Sequence, residues 1–328
     1  MNRRVLIVGA GSVGKRHANN LKALGMEVAA VDPREDRRDE FPADIAYPTL
    51  DAALTQRFDA VAVCSPTAFH VDQALAALDS GAAVLLEKPV AMTLADAERL
   101  ADRAAETGAP PVLLGYTWRW WPPLQRLREL IKAEAVGPIR FAQFVMSAHL
   151  ADWHPYEPLA DFFMSSARLG GGALLDESHW IDLSAWLFGM PKDLMADVDK
   201  ISSLDITADD NVDMILRYDG GLRVQIHLDL HGRPHQKTIR CLGETGSLLW
   251  SEHPNRVAIA RGAEEHWEDE VFSCGRNDMF MAVAQEFLHV LDGETHMTCT
   301  LADGLNAMRL IEAVRRSTAD GRRIEIGP

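Results

Sequence analysis

Cysteine is scarce in this sequence of 328 residues, with four in total, at positions 64, 241, 274 and 299. No two of them have the C-x-x-C spacing that is typical of zinc ribbons and redox-active pairs. A disulfide-rich fold and a metal site built on cysteine are therefore not expected, and the thiols are predicted to be reduced. Reduced thiols favour a cytoplasmic location.

Basic residues are also in deficit, because 33 lysines and arginines stand against 48 aspartates and glutamates, for a formal net charge of −15. Nucleic acids and anionic membranes attract basic surfaces, so neither is an expected partner. The chain also lacks an uninterrupted run of about 18 apolar residues, the length that a membrane-spanning helix needs. A single core rarely grows beyond about 250 to 300 residues, so the length favours two domains.

A glycine pattern directly follows the first apolar run of the chain. Val5 to Val8 are predicted to form a buried strand, G-x-G-x-x-G follows, and the pattern then continues as a helix. In this context the glycines permit a tight turn, close approach of a pyrophosphate and helix-to-strand packing, while the helix start offers unpaired N–H groups to phosphates. The residues expected to bind a dinucleotide here are Gly9, Gly11, Ser12, Val13 and Gly14.

An acidic residue ends the second apolar run. Asp32 lies at about the distance beyond the glycines, some 20 residues, at which a carboxylate can accept a hydrogen bond from the ribose 2′-hydroxyl of NAD. Arg34, Arg37 and Arg38 follow, and an arginine here could instead hold the 2′-phosphate of NADP. A carboxylate would repel that phosphate, so NAD is the expected cofactor and NADP the alternative.

Strand-like and helix-like patterns alternate through the first third of the chain. Apolar runs at 60–63, 83–86 and 112–115 are separated by helical patterns at 70–78 and 93–107. Such alternation predicts an α/β Rossmann fold, a doubly wound parallel sheet with its ligand crevice at the carboxyl ends of the strands. Two strand ends carry polar residues, in the segments Cys64-Ser65-Pro66-Thr67 and Glu87-Lys88-Pro89.

Several motifs together resemble one family of oxidoreductases. After the glycine pattern come SPTAFH and VLLEKP, then YTWRWWPPLQRLRELI, then GGGALLDESHWIDLSAWLFG, and finally LADGLNAMRLIEAVRRSTADGRRIEI. These segments resemble the NAD(P)-dependent Gfo/Idh/MocA family, named after glucose–fructose oxidoreductase, inositol dehydrogenase and a rhizopine-catabolism protein. The resemblance spans nearly the whole chain.

The resemblance implies roles for individual residues of the first domain. Lys88 would touch both the cofactor and the reacting oxygen of the substrate. The other expected cofactor contacts are Cys64, Ser65, Pro66, Thr67, His70 and Glu87. Where the family commonly shows N-x-R-[FY]-x-P, this chain has Thr117 in place of asparagine but keeps Arg119, which is expected to contact the substrate.

The character of the sequence changes near Trp120. We predict a dinucleotide-binding domain over residues 1–119 and an α+β domain for substrate binding and oligomerisation over residues 120–328. The predicted strands of the second domain imply a large, mostly antiparallel sheet with helices on one face, and they cover residues 139–148, 194–201, 211–218, 222–230, 238–241 and 257–260. In the family, the other face of this sheet commonly builds a homodimer or homotetramer.

Three polar residues follow the glycines at 170–172. Asp176, His179 and Asp182 are three apart, which predicts one stripe on a helix. His179 and Asp182 align with the H-x-x-D of the family, in which the histidine is catalytic. The family's preceding aspartate stands four residues before the histidine rather than three, so either Asp176 or Asp182 could orient His179.

Other histidines offer weaker signals. His154, in a loop that also holds His149, is expected to line the substrate pocket. His227, His231 and His235 are four apart, but glycine and proline interrupt the strand between the last two, so no metal site is predicted.

The resemblance implies hydride transfer between a nicotinamide and a secondary alcohol or ketone of a sugar, polyol or sugar derivative. Lys88 and His179 would act on the same substrate oxygen. Redox-neutral sugar chemistry with tightly held NAD, as in a glycosidase or a sugar–sugar oxidoreductase, is one alternative. A non-catalytic regulator that senses dinucleotides is the other.

Overall fold

The computed structural model describes residues 3–153, 158–159, 162–263 and 266–327, which form two compact units. Unit 1 comprises Met1–Trp120 and Gly275–Met308, and unit 2 comprises Trp121–Cys274 and Arg309–Pro328. Within the described residues, no helix is both long enough and apolar enough to cross a membrane.

Unit 1 is built on a parallel sheet of six strands. Its strands are β1 (Arg4–Val8), β2 (Glu27–Val31), β3 (Ile45–Tyr47), β4 (Ala60–Val63), β5 (Ala83–Glu87) and β6 (Val112–Gly115), in the spatial order β3-β2-β1-β4-β5-β6. Helices alternate with them, namely α1 (Ser12–Ala23), α2 (Glu35–Asp39), α3 (Leu50–Leu54), α4 (His70–Asp79) and α5 (Leu94–Ala104). The central strands are apolar and buried along almost their whole length, as expected for a sheet with helices on both faces. The predicted doubly wound sheet is confirmed.

A later segment of the chain completes unit 1. Helix α9 (Arg276–Leu291) packs against α1, and the backbone N–H of Leu114 donates to the carbonyl of Cys299 at 3.2 Å, beside the β6 edge. A Cβ on Gly304 would lie 2.5 Å from Val90, so the chain approaches the sheet closely there. The first boundary between the units, after Trp120, lies one residue from the predicted division into residues 1–119 and 120–328. That residues 275–308 also belong to unit 1 was not predicted, because their contacts with it are non-local and leave no local sequence pattern.

Unit 2 is built on a sheet of nine strands. They are β7 (Ile139–Ser147), β8 (Asp193–Asp199), β9 (Asn211–Arg217), β10 (Arg223–Asp229), β11 (Gln236–Gly243), β12 (Gly246–Ser251), β13 (Arg256–Arg261), β14 (Glu268–Val271) and β15 (Ile324–Glu325). The spatial order is β14-β13-β12-β11-β7-β10-β9-β8-β15, and every pair is antiparallel except β7 with β10. The predicted large, mostly antiparallel sheet is confirmed.

Helices cover one face of this sheet. They are α6 (Pro122–Lys132), α7 (Ala173–Asp176) and α8 (His179–Phe188), and the boundary between the units falls within the last helix, α10 (Leu301–Asp320). Alternate strand residues such as Phe144 and Trp250 are fully buried towards the helices. On the strands β8 and β9, Met195 and Ile215 are paired neighbours and remain 46% and 48% exposed. The sheet thus has one buried face and one that shows apolar side chains.

Two local predictions need correction. The strand Gly246–Ser251 was not predicted. It lies between β11 and β13 in the sheet, and its residues Leu248 and Trp250 are buried. The predicted continuous helical stripe of Asp176, His179 and Asp182 is interrupted, because α7 ends at Asp176 and α8 begins at His179.

Candidate functional site

The glycine loop of unit 1 connects β1 to α1, and two of its glycines are required by its own backbone. Gly9 has φ of 102°, and a Cβ there would lie 2.7 Å from the Ser65 nitrogen, in the loop after β4. A Cβ on Gly14 would collide with the carbonyl oxygen of Gly9. The loop can therefore close only with glycine at these two positions.

Gly11 differs, because a Cβ there would meet nothing within 4 Å. Packing within the protein does not demand glycine at this position, whereas close approach of a ligand would. Gly11 is also the N-cap of α1, whose first N–H groups have no partner inside the helix. Open space above a glycine, next to free amides at the positive end of a helix, fits the pyrophosphate of a dinucleotide.

Asp32 follows β2 and is 5% exposed. Its Oδ2 accepts a hydrogen bond from the Ala10 N–H at 2.8 Å, and its Oδ1 accepts one from the Arg34 N–H at 2.9 Å. Both bonds come from backbone groups and fix the carboxylate beside the glycine loop. A carboxylate has about four acceptor positions, so it can still accept bonds from ribose hydroxyls.

The neighbouring arginines have partners within the protein. Arg34 forms a 2.6 Å ion pair with Asp36, and Arg38 donates to the carbonyl oxygen of Asp32 at 2.8 Å. These contacts hold both guanidinium groups, whereas a 2′-phosphate would have to share them and would also meet the Asp32 carboxylate. The local charges favour NAD over NADP.

The loop after β4 is held by His70, the first residue of α4. The ring is 1% exposed, with Nε2 at 2.8 Å from the Ser65 carbonyl oxygen and Nδ1 at 2.8 Å from the Pro89 carbonyl oxygen. Burial lowers the pKa of His70, against the opposing effect of these two carbonyl groups. His70 thus links the turns that follow β4 and β5. Direct contact of this side chain with the cofactor remains a prediction.

Glu87 ends β5, and its side chain is 11% exposed. Its Oε1 lies 2.7 Å from Nε2 of His17, a fully buried residue of α1, and its Oε2 accepts the Lys88 N–H at 3.3 Å. Burial raises the pKa of the nearby Cys64 thiol, and the negative charge of Glu87 raises it further. The carboxyl edge of the sheet therefore places a buried carboxylate directly before Lys88.

Arg119 is buried in unit 1, with its side chain only 4% exposed. Its Nη1 lies 3.1 Å from Oδ1 of Asp303 and 3.1 Å from the carbonyl oxygen of Thr298. Burial would raise the pKa of the Asp303 carboxyl, but the charge of Arg119 and bonds from Thr300 hold it below its usual value. These contacts give Arg119 a structural role, and its contact with the substrate stays a prediction.

In unit 2, the three glycines before His179 form a tightly packed loop. Gly172 has φ of 108°, and a Cβ there would lie 2.5 Å from Oδ1 of Asp209. Asp209 accepts the Leu174 N–H at 2.8 Å and so caps α7. Burial raises the pKa of this aspartate above its ordinary value. The loop thereby fixes where the next turn and α8 begin.

His179 is half-buried at the start of α8, and Asp182 is 1% exposed one turn later. Their spacing within one helix places both on the same side of α8. Asp176 lies in the preceding helix, across a two-residue break. Asp182 therefore shares a helix with His179 whereas Asp176 does not, and the role of either aspartate in orienting the imidazole stays a prediction.

Aromatic packing anchors α8. The Trp180 ring lies 6.4 Å from Phe144 and 6.1 Å from Trp250, both on the sheet, and the Trp180 indole N–H donates to Glu177 at 3.1 Å. These contacts hold the start of the helix, and with it His179, against the rigid sheet.

Of the other histidines singled out in the sequence, His227 has two carboxylate neighbours. His227 lies between Asp213, at 2.8 Å, and Asp229, at 3.1 Å, on β9 and β10. Hydrogen bonds that the ring donates to these carboxylates, first of all to Asp229, raise the pKa of His227 to about 9. His154 lies outside the described residues, so its predicted substrate contact has no structural counterpart here.

Comparison with known proteins identifies the family. Residues 3–116 match the model of an oxidoreductase family with an NAD-binding Rossmann fold, and residues 124–249 match the GFO/IDH/MocA C-terminal domain. The chain belongs to the GFO/IDH/MocA family. The sequence-based resemblance and the prediction of an NAD-binding domain are thereby confirmed.

Curated relatives of this GFO/IDH/MocA protein include sugar and polyol dehydrogenases. Myo-inositol 2-dehydrogenase of Thermotoga maritima is 27% identical over 232 residues, which cover 66% of each chain. D-glucoside 3-dehydrogenase of Escherichia coli is 29% identical over 201 residues, 57% of this chain and 54% of the relative. The matches span about half to two thirds of the length of these relatives.

The fold also matches solved structures along its full length. Levoglucosan dehydrogenase in complex with NADH has a TM-score of 0.87 at 16% identity, with 100% of both chains covered. At this identity, the likeness shows that the two proteins share a fold.

Sequence reasoning missed His17, Glu177 and Asp209. His17 lies on the helical face that Gly14 and Leu21 turn towards the sheet, so its position three residues after Gly14 was an available signal. Asp209 gave no local signal, because its partner Leu174 is 35 residues away in the chain.

Proposed function

We propose that this protein is an NAD-dependent dehydrogenase acting on a secondary alcohol of a sugar, polyol or sugar derivative, in the cytoplasm. The observation that carries the proposal is the glycine loop, where open space above Gly11 adjoins the fixed carboxylate of Asp32. Family membership and the dehydrogenase names of the relatives support the same class of reaction. Local charges at Asp32 support NAD in preference to NADP.

In this proposal the cofactor is held by the residues at the carboxyl edge of the unit 1 sheet. The α1 amides and Gly11 would accommodate the pyrophosphate, and Asp32 would accept bonds from the ribose. Bound NAD supplies the hydride acceptor. The protein's own residues then have to place the substrate carbinol, take its proton and balance the charge on its oxygen.

His179 is the proposed general base. An imidazole with an ordinary pKa near 6.5 can accept a hydroxyl proton around neutral pH. Lys88 would place its ammonium against the substrate oxygen and stabilise the negative charge that develops as the proton leaves. Asp182 would hold the imidazole in the orientation that leaves one ring nitrogen free to accept the proton.

The first experiment is a screen for reduction of NAD and of NADP with inositols, aldoses, aldosides, amino sugars and nucleotide sugars. The proposal expects stoichiometric NADH with at least one secondary alcohol and a lower rate with NADP. Product formation without net NADH would indicate redox-neutral chemistry instead. NAD binding with no turnover of any compound would favour a regulator.

The second experiment tests the two residues separately. Lys88→Met and His179→Asn should each lower kcat by about 100-fold or more, since a positioned acid or base typically contributes 10²- to 10⁴-fold. The dissociation constant for NAD should change by less than about threefold in His179→Asn, because this residue is assigned to the substrate. Wild-type turnover in either variant would remove that residue from the mechanism.

We also propose that the open face of the unit 2 sheet joins two copies of the chain. Met195 and Ile215 are paired on neighbouring strands and about half exposed, and contiguous exposed apolar side chains are typical of interfaces. Light scattering should give at least twice the mass of one chain, and Met195→Glu with Ile215→Lys should reduce it. A monomeric wild-type protein would contradict this part of the proposal.

A further inference from the structure

A pair of ionisable side chains is buried within unit 1, next to Lys88. His17 has no exposed surface, the Glu87 side chain is 11% exposed, and their Nε2 and Oε1 atoms are 2.7 Å apart. His17 belongs to α1 and Glu87 to β5, so the contact joins the helix that carries the glycine loop to the strand that ends at Lys88. The two residues are 70 positions apart in the chain.

The carboxylate of Glu87 is ionised in these surroundings. Burial by itself would raise the pKa of Glu87, but the hydrogen bond from His17 and the charges of His17, Lys88 and His70 bring it below its ordinary value. The ionised carboxylate accepts, so Nε2 of His17 donates the proton in this contact. The groups that face the carboxylate are therefore His17 from α1, His70 from α4, the Cys64 thiol after β4 and Lys88 itself.

The strand next to β5 also makes room for this carboxylate. Gly115 pairs with Glu87 in the sheet, and a Cβ on Gly115 would lie 3.2 Å from both the carboxyl carbon and Oε1 of Glu87. A larger residue would push the carboxylate away from His17. Three elements of unit 1 thus converge on a single orientation of one side chain.

Stability alone does not explain such a pair. Burying ionisable groups is unfavourable, and well-packed apolar residues of similar volume are often as stable or more so. What an apolar pair could not do is accept the Lys88 N–H, which Oε2 of Glu87 does at 3.3 Å. The carboxylate is therefore tied at one oxygen to α1 and at the other to the backbone of Lys88.

We propose that His17 and Glu87 are positioning residues for Lys88. His17 fixes the Glu87 carboxylate, and the carboxylate fixes the backbone from which the Lys88 side chain extends. The inference rests on the role assigned to Lys88 under the proposed function. It adds the prediction that a residue which reaches neither substrate nor cofactor controls the rate of the chemical step.

The test uses two amide variants of the full chain that differ by one methylene. His17→Gln keeps a donor at about the position of Nε2, whereas His17→Asn is too short to reach Glu87. Hydrogen–deuterium exchange at the Lys88 amide, read by fragmentation mass spectrometry with NAD present, should accelerate at least tenfold in His17→Asn. In His17→Gln it should stay within about threefold of wild type. Equal exchange in all three proteins would overturn the inference.

Steady-state kinetics provide the second readout, with the best substrate from the screen. His17→Asn should lower kcat by about 10- to 100-fold, as expected when a supporting residue is lost, while KM and the NAD dissociation constant stay within about threefold. His17→Gln should recover most of kcat. Should His17→Asn not fold, Glu87→Gln, which keeps size and removes charge, is expected to give the same fall. A rise in KM at constant kcat, or equal losses in the Asn and Gln variants, would contradict the positioning role.

The two proposals fail in different ways. Wild-type turnover in Lys88→Met would refute the role of Lys88 in the reaction, while the exchange measurement would still report whether His17 holds its backbone. Loss of turnover in Lys88→Met together with unaffected His17→Asn would leave the proposed function intact and refute only the positioning role.

Discussion

Two alanine substitutions in the glycine loop can distinguish a glycine needed for binding of the dinucleotide from a glycine needed for folding. In Gly11→Ala the new methyl group meets nothing within 4 Å, whereas in Gly14→Ala it collides with the Gly9 carbonyl oxygen. Both changes add a single carbon within four residues of each other. We predict that the first affects dinucleotide binding and the second affects stability as well.

The magnitudes follow from the local structure. At the N-cap of α1, alanine is worse than glycine by about 0.5 to 1 kcal/mol, and reduced freedom of the unfolded chain returns about 0.4 to 1 kcal/mol. Gly11→Ala should therefore change the melting temperature of unit 1 by less than about 4 °C. A methyl group in the open space would cost one charge-assisted hydrogen bond to a phosphate, about 1.5 to 3 kcal/mol, or roughly 10- to 150-fold in the NAD dissociation constant.

Gly14→Ala should behave differently, because the carbonyl of Gly9 and the start of α1 must move apart. Such overpacking costs about 1 to 3 kcal/mol, so the melting temperature should fall by several degrees. Isothermal titration with NAD and differential scanning calorimetry on the same samples give both quantities. Wild-type affinity in Gly11→Ala would refute the assignment of this loop to the pyrophosphate, whatever Gly14→Ala does.

Three further predictions concern charges. Arg119→Met removes the cation that pairs with the half-buried Asp303, and this loss should lower the free energy of unfolding by about 1 to 3 kcal/mol. The melting temperature should then fall by about 2 to 10 °C, and an unchanged calorimetric transition would contradict this. The pKa of His227 is raised to about 9, most strongly by its hydrogen bond to Asp229. The stability that this bond contributes is complete below about pH 6.5, the pKa of an unfolded histidine, and is lost as the pH rises through 9. The melting temperature of wild type should therefore exceed that of His227→Asn by about 2 to 6 °C at pH 6, and the difference should approach zero at about pH 10. Asp32→Ser should weaken NAD binding about tenfold and narrow the preference over NADP in titration calorimetry, and an unchanged ratio would argue against a ribose contact.

Much of unit 1 could be predicted from sequence, because its signals are local. The run Val5–Val8, the glycines after it and Asp32 lie within one strand–helix–strand segment, so periodicity and spacing were sufficient. The strand Gly246–Ser251 could not be predicted in this way, since Gly246, Ser247 and Ser251 give a weak strand pattern. Its extended conformation depends on pairing with the neighbouring strands β11 and β13.

The sequence by itself determined the family and the parallel sheet, because both depend on short motifs whose spacing has a physical reason, and it predicts Lys88 and His179 as the residues that act on the substrate. Only the tertiary structure decided that one helix ends at Asp176 and a second begins at His179, and that Arg119 pairs with Asp303. It alone paired His17 with Glu87. These outcomes depend on contacts between residues tens to hundreds of positions apart, and the energy of such contacts comes from burial and geometry that a local pattern does not encode.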